Sequence, residues 1–376
     1  MTEKLDLEAI RREIDEADGI LINAFERRLD AVLKVAEYKK ANNLPVRDRA
    51  RELKVIAKAQ ERLQNKKYAP AVADLMENIM AVARGMEEEQ LQTTAPQQEA
   101  FDVGCFGVEG SYSHKAMEEY FAGKKITRHY YIVFEDVVKA VKNGEIRYGV
   151  LPVENSSTGG ITEVYDLLRH YGCYITGEKC VKIEHNLMAL PGATLSGITE
   201  VYSHPQGFAQ CKDFFAEYPQ MKLVPYYSTS KSAEAVKESG SLHLAAVAGK
   251  QAAELYGLQI LAANINYNGN NTTRFIIIAN EAEHSADADK ITLVIAVKHE
   301  PGSLYRVLGY FYHSGLNLTN LESRPIEGKS WEYFFHIDLM GNLADTNVQE
   351  TVRMLSDNCA YFRILGNYRS DMKQER

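Results

Sequence analysis

The chain has 376 residues, 45% hydrophobic and 25% charged, which is enough for two or three packed domains. A formal charge of -8 and the lack of any Lys/Arg run exclude an electrostatic footprint for nucleic acid. The five cysteines, Cys105, Cys173, Cys180, Cys211 and Cys359, form no C-x-x-C pair, which argues against a disulfide framework or a structural zinc. A charged N-terminus and no long apolar run predict neither signal peptide nor membrane span, so a cytoplasmic protein is expected.

From residue 5 to about 90, Ile20, Leu21, Ala24, Phe25, Val32, Val35 and Ala36 recur at helical spacing, interrupted at Pro45 and Pro70. This predicts an all-helical domain over 1–92. The stretch "EEEQLQTTAPQQEA" then loses periodicity and reads as a linker. Over 101–280, "RYGVLPVE", "YITGEKC" and "FIIIAN" predict strands, and "GITEVYDLLRHYG", "GFAQCKDFFAEY" and "SAEAVKE" predict helices between strands, an α/β domain. A second polar link, "EAEHSADADK", leads to a third domain over 290–376. There "ITLVIAV", "PGSLYRVLGYFYHSG", an alternating strand from Trp331 to Leu339, "VQETVRML" and "FRILGNY" give β-α-β-β-α-β, the α+β ferredoxin-like plan.

In the helical domain, Arg28 and Lys39 are eleven residues apart, close to three helical turns, so they share a face and can both point at one anion. Arg11 lies about a quarter-turn off that face. Beyond Pro45, "PVRDRARE" brings Asp48, Arg51 and Glu52 to the start of another helix. Any one of these charges alone reads as a solvated helix face. Together Arg11, Arg28, Lys39, Asp48, Arg51 and Glu52 resemble the helical chorismate mutase family. The resemblance implies an intertwined helical dimer in which Arg11 serves the partner's site. It implies rearrangement of chorismate to prephenate, with Arg11 and Arg28 clamping a dicarboxylate, Lys39 stabilising charge on the ether oxygen, and Glu52 with Asp48 holding the substrate hydroxyl. The chain departs from that pattern at Ala83 and Glu87, positions often held by Ser and Gln. Glu87 can donate a hydrogen bond only when protonated, so a mutase rate that falls as Glu87 ionises is expected.

In the α/β domain three hydroxyl-rich segments precede predicted helices: Ser156, Ser157 and Thr158; Ser203 with His204 before Pro205; and Ser228, Thr229 and Ser230. Each alone reads as an ordinary N-cap, although helix N-termini also bind anions. "GVEGSYSHKA", "LPVENSSTGG", "VYSHPQGFAQC", "STS", "AELYGLQIL" and "NNTTRFIII" resemble prephenate dehydratase in order and content. The resemblance implies two α/β lobes arranged like a periplasmic binding protein around the site, and loss of carbon dioxide and the ring hydroxyl from prephenate without metal or redox cofactor. It implies Thr273 as the catalytic group, Arg274 with the helix-start groups Ser156, Ser228 and Thr229 as anchors, and Asn155, Ser203 and Gln210 as neighbours. A dehydrogenase on the same substrate is the rival, but "VGCFGVEGS" spaces its glycines G-x-x-G-x-x-G and lacks the G-x-G-x-x-G nucleotide turn. His185 and His204 stand in no H-E-x-x-H pattern and read as core or loop histidines.

In the third domain, Gly302 lies where a strand passes into a helix and reads either as a plain turn or as a place for a ligand to approach the helix start. "PGSLYRVL" and "NLTNLESRP" resemble the ACT domain. That resemblance implies feedback inhibition by phenylalanine through Gly302, Ser303 and Leu304 and through Glu322, Ser323, Arg324 and Pro325, with ligands between subunits of a homodimer or dimer of dimers. The three resemblances together are those of bifunctional chorismate mutase/prephenate dehydratases. The alternatives are a dehydratase whose mutase segment is vestigial or regulatory, and a non-enzymatic ligand-responsive regulator.

Overall fold

The computed structural model describes residues 6–41, 49–92, 100–283, 285–329 and 331–371, with side chains left out at several positions of the helical part. The chain divides into two compact units, Met1–Glu99 and Ala100–Arg376.

The first unit holds helices α1 (Leu7–Ala41), α2 (Arg49–Glu61) and α3 (Ala69–Gln92), with a short 3₁₀ turn over Lys66–Tyr68. Pro70 opens α3 instead of interrupting a helix, because a first-turn N–H has no intrahelical acceptor to lose. Both α1 and α2 pack on α3, and Ala36, Met80 and Ala83 are buried. Small side chains there allow close approach. At 35 residues α1 runs about 50 Å. Along it Leu7, Ile14, Leu21 and Val35, on a seven-residue repeat whose fourth position is Arg28, are 47–60% exposed. Among the described residues no helix is long and apolar enough to cross a membrane.

The second unit opens with β1 (Phe101–Phe106), α4 (Tyr112–Tyr120), β2 (Ile126–Tyr131), α5 (Phe134–Asn143), β3 (Tyr148–Asn155), the two-residue β4 (Gly159–Gly160), α6 (Thr162–Tyr171) and β5 (Tyr174–Lys182). The chain crosses to a second lobe: β6 (Asn186–Ala189), β7 (Glu200–Ser203), α7 (Pro205–Gln210), α8 (Lys212–Ala216), β8 (Lys222–Pro225), α9 (Thr229–Ser239), β9 (Leu244–Ala248), α10 (Lys250–Tyr256) and β10 (Gln259–Ala262). It then returns to the first lobe as β11 (Thr272–Ala279). The sheets run β2-β1-β3-β11-β5 and β10-β6-β9-β7-β8, so two connections join two lobes.

The C-terminal module comprises β12 (Lys290–Ala296), α11 (Ser303–His313), β13 (Leu318–Pro325), β14 (Tyr333–Met340), α12 (Thr346–Asn358) and β15 (Tyr361–Tyr368). Its sheet runs β13-β14-β12-β15, antiparallel throughout. The polar link before it suggested a separate domain. Instead Val294, Ala296, Phe334, Leu365 and Tyr368 of this sheet share one apolar core with Val137, Leu168, Ile276 and Ile278 of the first lobe. A sheet with both faces buried needs a second layer on each, and α11 and α12 cover only one. The first lobe supplies the other.

Candidate active sites

Strand β11 sits between β3 and β5, so both of its edges are paired, and its side chains alternate between two apolar interiors. Phe275 and Ile277 pack on the α4 side with Val103, Met117 and Val181. Ile276 and Ile278 pack on the opposite side. Thr273 therefore belongs to the face of Phe275, and Arg274 to the other. The ladder to β3 is irregular between Arg274 and Phe275, where Pro152, with no N–H to offer, pairs with Phe275 and Val153 bulges out. The Val153 carbonyl accepts from the Ile161 N–H at 2.7 Å instead.

On the Thr273 face a chain of hydrogen bonds fixes which groups donate. The N–H groups of Ser157 and Thr158 point at Asn155 Oδ1, at 3.0 and 3.2 Å. That sets the Asn155 amide, whose Nδ2 must then donate, to Thr273 Oγ1 at 2.8 Å and Asn271 Oδ1 at 2.7 Å. Thr273 accepts from Asn155 and keeps its own proton, which no described residue receives. Asn271 is 1% exposed and its Nδ2 is buried without a partner. Two donors bridged by the same Asn155 amide thus have no acceptor among the described residues, an arrangement suited to an oxygen-rich anion. Asn271 was quoted in the motif but given no role by the sequence reading; the signal was its place two residues before Thr273 on the same face.

The remaining expected residues fall into supporting positions. Ser156 Oγ accepts from the Thr272 N–H at 2.9 Å and ties the 155–158 loop to the mouth of β11. Ser156, Ser157 and Thr158 do not start a helix; β4 intervenes, and α6 begins at Thr162. In the second lobe Ser203 is fully buried and donates to the Val247 carbonyl at 3.0 Å. The buried Gln210 carries its Oε1 2.8 Å from His185 Nε2. An amide oxygen only accepts, so Nε2 bears the proton, and burial holds His185 neutral by lowering its pKa against the opposing Gln210 bond. Tyr112, whose hydroxyl donates to the Glu184 carbonyl at 2.8 Å, closes over that ring. Ser228 caps α9 by accepting from the Lys231 N–H, and Thr229 is its half-buried first residue. Among the bonds that join the lobes are Gln206 Nε2 to Thr158 Oγ1 at 3.2 Å and Ser230 Oγ to the Glu109 carbonyl at 2.6 Å.

Arg274 does not join Thr273. Its guanidinium, 4% exposed, lies 3.0 Å from Glu154, 3.4 Å from Glu178 and 2.8 Å from Asp338 of the C-terminal module, and donates to the Tyr165 hydroxyl at 3.0 Å. The expected anchoring role is corrected: strand alternation turns this side chain away, and three carboxylates already occupy it.

In the first unit Arg11, Arg28 and Lys39 all stand on α1, with Arg11 exposed and the other two half-buried. Arg28 Nη1 is buried and has no hydrogen-bond partner among the described residues. Arg51 is exposed on α2 and Ala83 buried on α3. Asp48 and the side chains of Glu52 and Glu87 lie outside the described residues. In the C-terminal module Gly302 precedes α11 in the left-handed region, at φ 80°, with open space where a Cβ would stand. Ser303 lines a cavity of about 160 Å³ with Lys298, Arg306 and Tyr310, beside the half-buried Leu304. Glu322 and Arg324 line a different place, against the first lobe: Arg324 Nε is 2.8 Å from Asp166, and the Glu322 carboxylate abuts Gly160. Ser323 and Pro325 are exposed on the edge strand β13.

Comparison with known proteins agrees with this division. The family described as prephenate dehydratase matches residues 103–283, and chorismate mutase type II matches residues 10–88. The chain is 32% identical to the bifunctional chorismate mutase/prephenate dehydratase of Escherichia coli (strain K12), over 99% of this chain and 98% of that protein. Among solved structures it is similar to the prephenate dehydratase of Arthrobacter aurescens in complex with L-Phe, at 30% identity and TM-score 0.65 over 71% of this chain and 90% of that one. It is also similar to GqqA, described as a quorum quenching acylase, at 31% identity and TM-score 0.66 over 72% of this chain and 98% of that one. With one relative spanning both units and a family match in each, the chain belongs to the bifunctional chorismate mutase/prephenate dehydratases.

Proposed function

We propose that the second unit converts prephenate to phenylpyruvate with Thr273 as hydrogen-bond donor to the departing ring hydroxyl, on substrate that the first unit makes from chorismate. The observation that carries this is the orientation of Asn155, which leaves the Thr273 proton and Asn271 Nδ2 free for substrate. As the ring carboxylate leaves as carbon dioxide, its electron pair enters the ring and the C–O bond to the hydroxyl breaks. Negative charge gathers on that oxygen, and a preorganised donor is strongest where charge develops. A threonine hydroxyl is too weak an acid to ionise at neutral pH, so its contribution is the hydrogen bond and the proton comes finally from water. With Arg274 engaged elsewhere, Asn271 Nδ2 and the N–H groups at the start of α9 are assigned to the carboxylates, and Gln210, oriented by His185, to their neighbourhood.

In the first unit the half-buried Arg28 and Lys39 are assigned to chorismate, with Arg28 Nη1 awaiting a carboxylate. The exposed apolar repeat of α1 supports a second copy of the chain packing along it, from which Arg11 would reach its partner's site. The C-terminal module, with the strand order of a ferredoxin-like fold, is read as an ACT domain that takes phenylalanine. That reading is supported by the L-Phe complex of the Arthrobacter aurescens relative.

The test is to supply chorismate and follow phenylpyruvate by ultraviolet absorbance. Thr273→Val is expected to lower kcat about 100- to 1000-fold with a native circular-dichroism spectrum, and Thr273→Ser to retain most activity. Full activity in the valine variant ends the donor role. Turnover of added prephenate without turnover of chorismate would instead remove the mutase half of the proposal.

A further inference from the structure

The two modules of the second unit meet over a group of charges almost wholly removed from water. Arg274, Glu178, Lys290 and Asp338 have side chains 4, 0, 1 and 1% exposed. Arg274 on β11 and Glu178 on β5 come from the first lobe, and Lys290 on β12 and Asp338 on β14 from the C-terminal sheet. Arg274 spans the boundary: Nη2 reaches Asp338 and Nη1 reaches Glu178. Glu178 Oε2 is held in turn by Lys290 Nζ at 2.8 Å, and its Oε1 accepts from Ser370 Oγ at 2.8 Å and the Asp371 N–H at 3.0 Å. Asp338 Oδ1 accepts from Thr292 Oγ1 at 2.7 Å. Burying such charges is costly, and an apolar packing of equal volume would serve stability as well or better, so their use lies in geometry.

Three features direct that geometry at Thr273. Arg274 is its covalent neighbour. The Val153 bulge on β3 offsets the pairs Thr273–Asn155 and Arg274–Glu154 from the ladder beyond Phe275, and Thr273 is held by Asn155 on one face while the Arg274 cluster grips the same strand on the other. On the far side, Asp338 pairs across β14 with Asn320 of β13, the strand that carries Glu322 to Pro325 two residues on. We infer that Arg274 is a positioning residue that sets the place of the Thr273 hydroxyl, and that Asp338 is the counter-charge through which the C-terminal module acts on the dehydratase. This rests on the reading of Thr273 as donor and of the C-terminal module as a phenylalanine sensor.

Asp338→Asn tests it in the full chain, because the amide keeps the shape and an acceptor for Arg274, and Glu154 still balances the remaining cations. Without phenylalanine, kcat on prephenate is expected to fall about 3- to 10-fold with KM unchanged, since only an interaction made in the transition state is disturbed. With phenylalanine, binding measured by calorimetry stays within about threefold of the parent while the half-inhibiting concentration rises at least about tenfold. A merely structural role would lower the unfolding midpoint without separating binding from inhibition. Parental kcat and parental inhibition in a variant that binds phenylalanine overturn the inference. If Asp338→Asn does not fold, Thr292→Val, which removes one bond to the same carboxylate, is expected to shift both quantities in the same direction by less, and no shift there overturns it equally. A parent that phenylalanine does not inhibit would sink the sensor reading, which the kcat measurement distinguishes from failure of the positioning role.

Discussion

Arg28 and Arg274 are both arginines on rigid elements, and they do opposite things with their nitrogens. Arg28, half-buried on α1, keeps Nη1 without a hydrogen-bond partner among the described residues. Arg274 has Nε, Nη1 and Nη2 each facing a carboxylate. The unmatched donor of Arg28 suits the anion-binding role proposed for it, whereas Arg274, with each of its nitrogens facing a carboxylate, acts as a structural joint. Charge type alone does not separate the two cases; the state of the partners does.

The largest effect that would break this contrast comes from the joint. Arg274→Met leaves Glu178 and Asp338 buried with Lys290 as their remaining buried cation, and removing one partner of a buried pair costs about 3–5 kcal/mol. Urea unfolding of the second unit should show that loss, while the first unit keeps its chorismate turnover. A change under about 1 kcal/mol would mean that Arg274 is no joint, since surface changes fall in that range. Its removal would also release Glu178, whose pKa burial tends to raise but Lys290 and Arg274 together hold below the usual carboxylate range.

The binding arginine gives the next effect. Arg28→Ala should lower mutase kcat/KM about 100- to 1000-fold, the range for deleting one preorganised donor. Turnover of added prephenate should be unchanged, because Arg28 lies in the first of the two compact units and Thr273 in the second. Chorismate consumption within a small factor of the parent would place Arg28 among solvated surface charges.

What the sequence made legible follows from the same physics. On a helix, spacing converts directly to a shared face, so Arg28 and Lys39 could be grouped from eleven intervening steps alone. On a strand, neighbours in sequence are opposed in space, and the pair Thr273 and Arg274 was read as one site when alternation divides it. The run "FIII" hid the alternation, because a strand buried on both faces has no polar side to mark its phase. Strand β14 hid the reverse. His336 and Asp338 are the polar residues of an alternating strand, opposite Phe335, Ile337 and Leu339, yet both are 1% exposed, since that side is the contact with the first lobe. Nothing local in a chain tells a polar side chain whether water or another module will face it. The β-α-β-β-α-β order was readable because each element carries its own period and turn signals, whereas the two lobes came only with the family resemblance.

His336 offers the smallest and sharpest measurement on that contact. It stacks on Tyr165 at 5.0 Å, neither ring nitrogen has a hydrogen-bond partner, and the nearest carboxylate, Asp166, is 3.9 Å away. Burial pushes its pKa from the ordinary 6.5 down to about 4; Asp166 and Asp338 oppose that shift, while Arg169 and Arg324 add to it. Above pH 6.5 the ring is neutral folded and unfolded, and the contact has its full stability. As pH falls from 6.5 toward 4 the unfolded chain takes up a proton that the folded chain refuses, so stability is lost across that window, by about 3 kcal/mol once both forms are protonated. His336→Leu removes the titrating group at similar volume and is expected to be neutral or mildly stabilising at pH 7, because two unpartnered polar atoms disappear. Between pH 7 and 4.5 the parent should therefore lose about 2–3 kcal/mol more than the variant in urea unfolding. Equal losses in the two proteins would mean that His336 finds a proton acceptor in the folded state, and that the C-terminal sheet is less tightly closed against α6 than its burial implies.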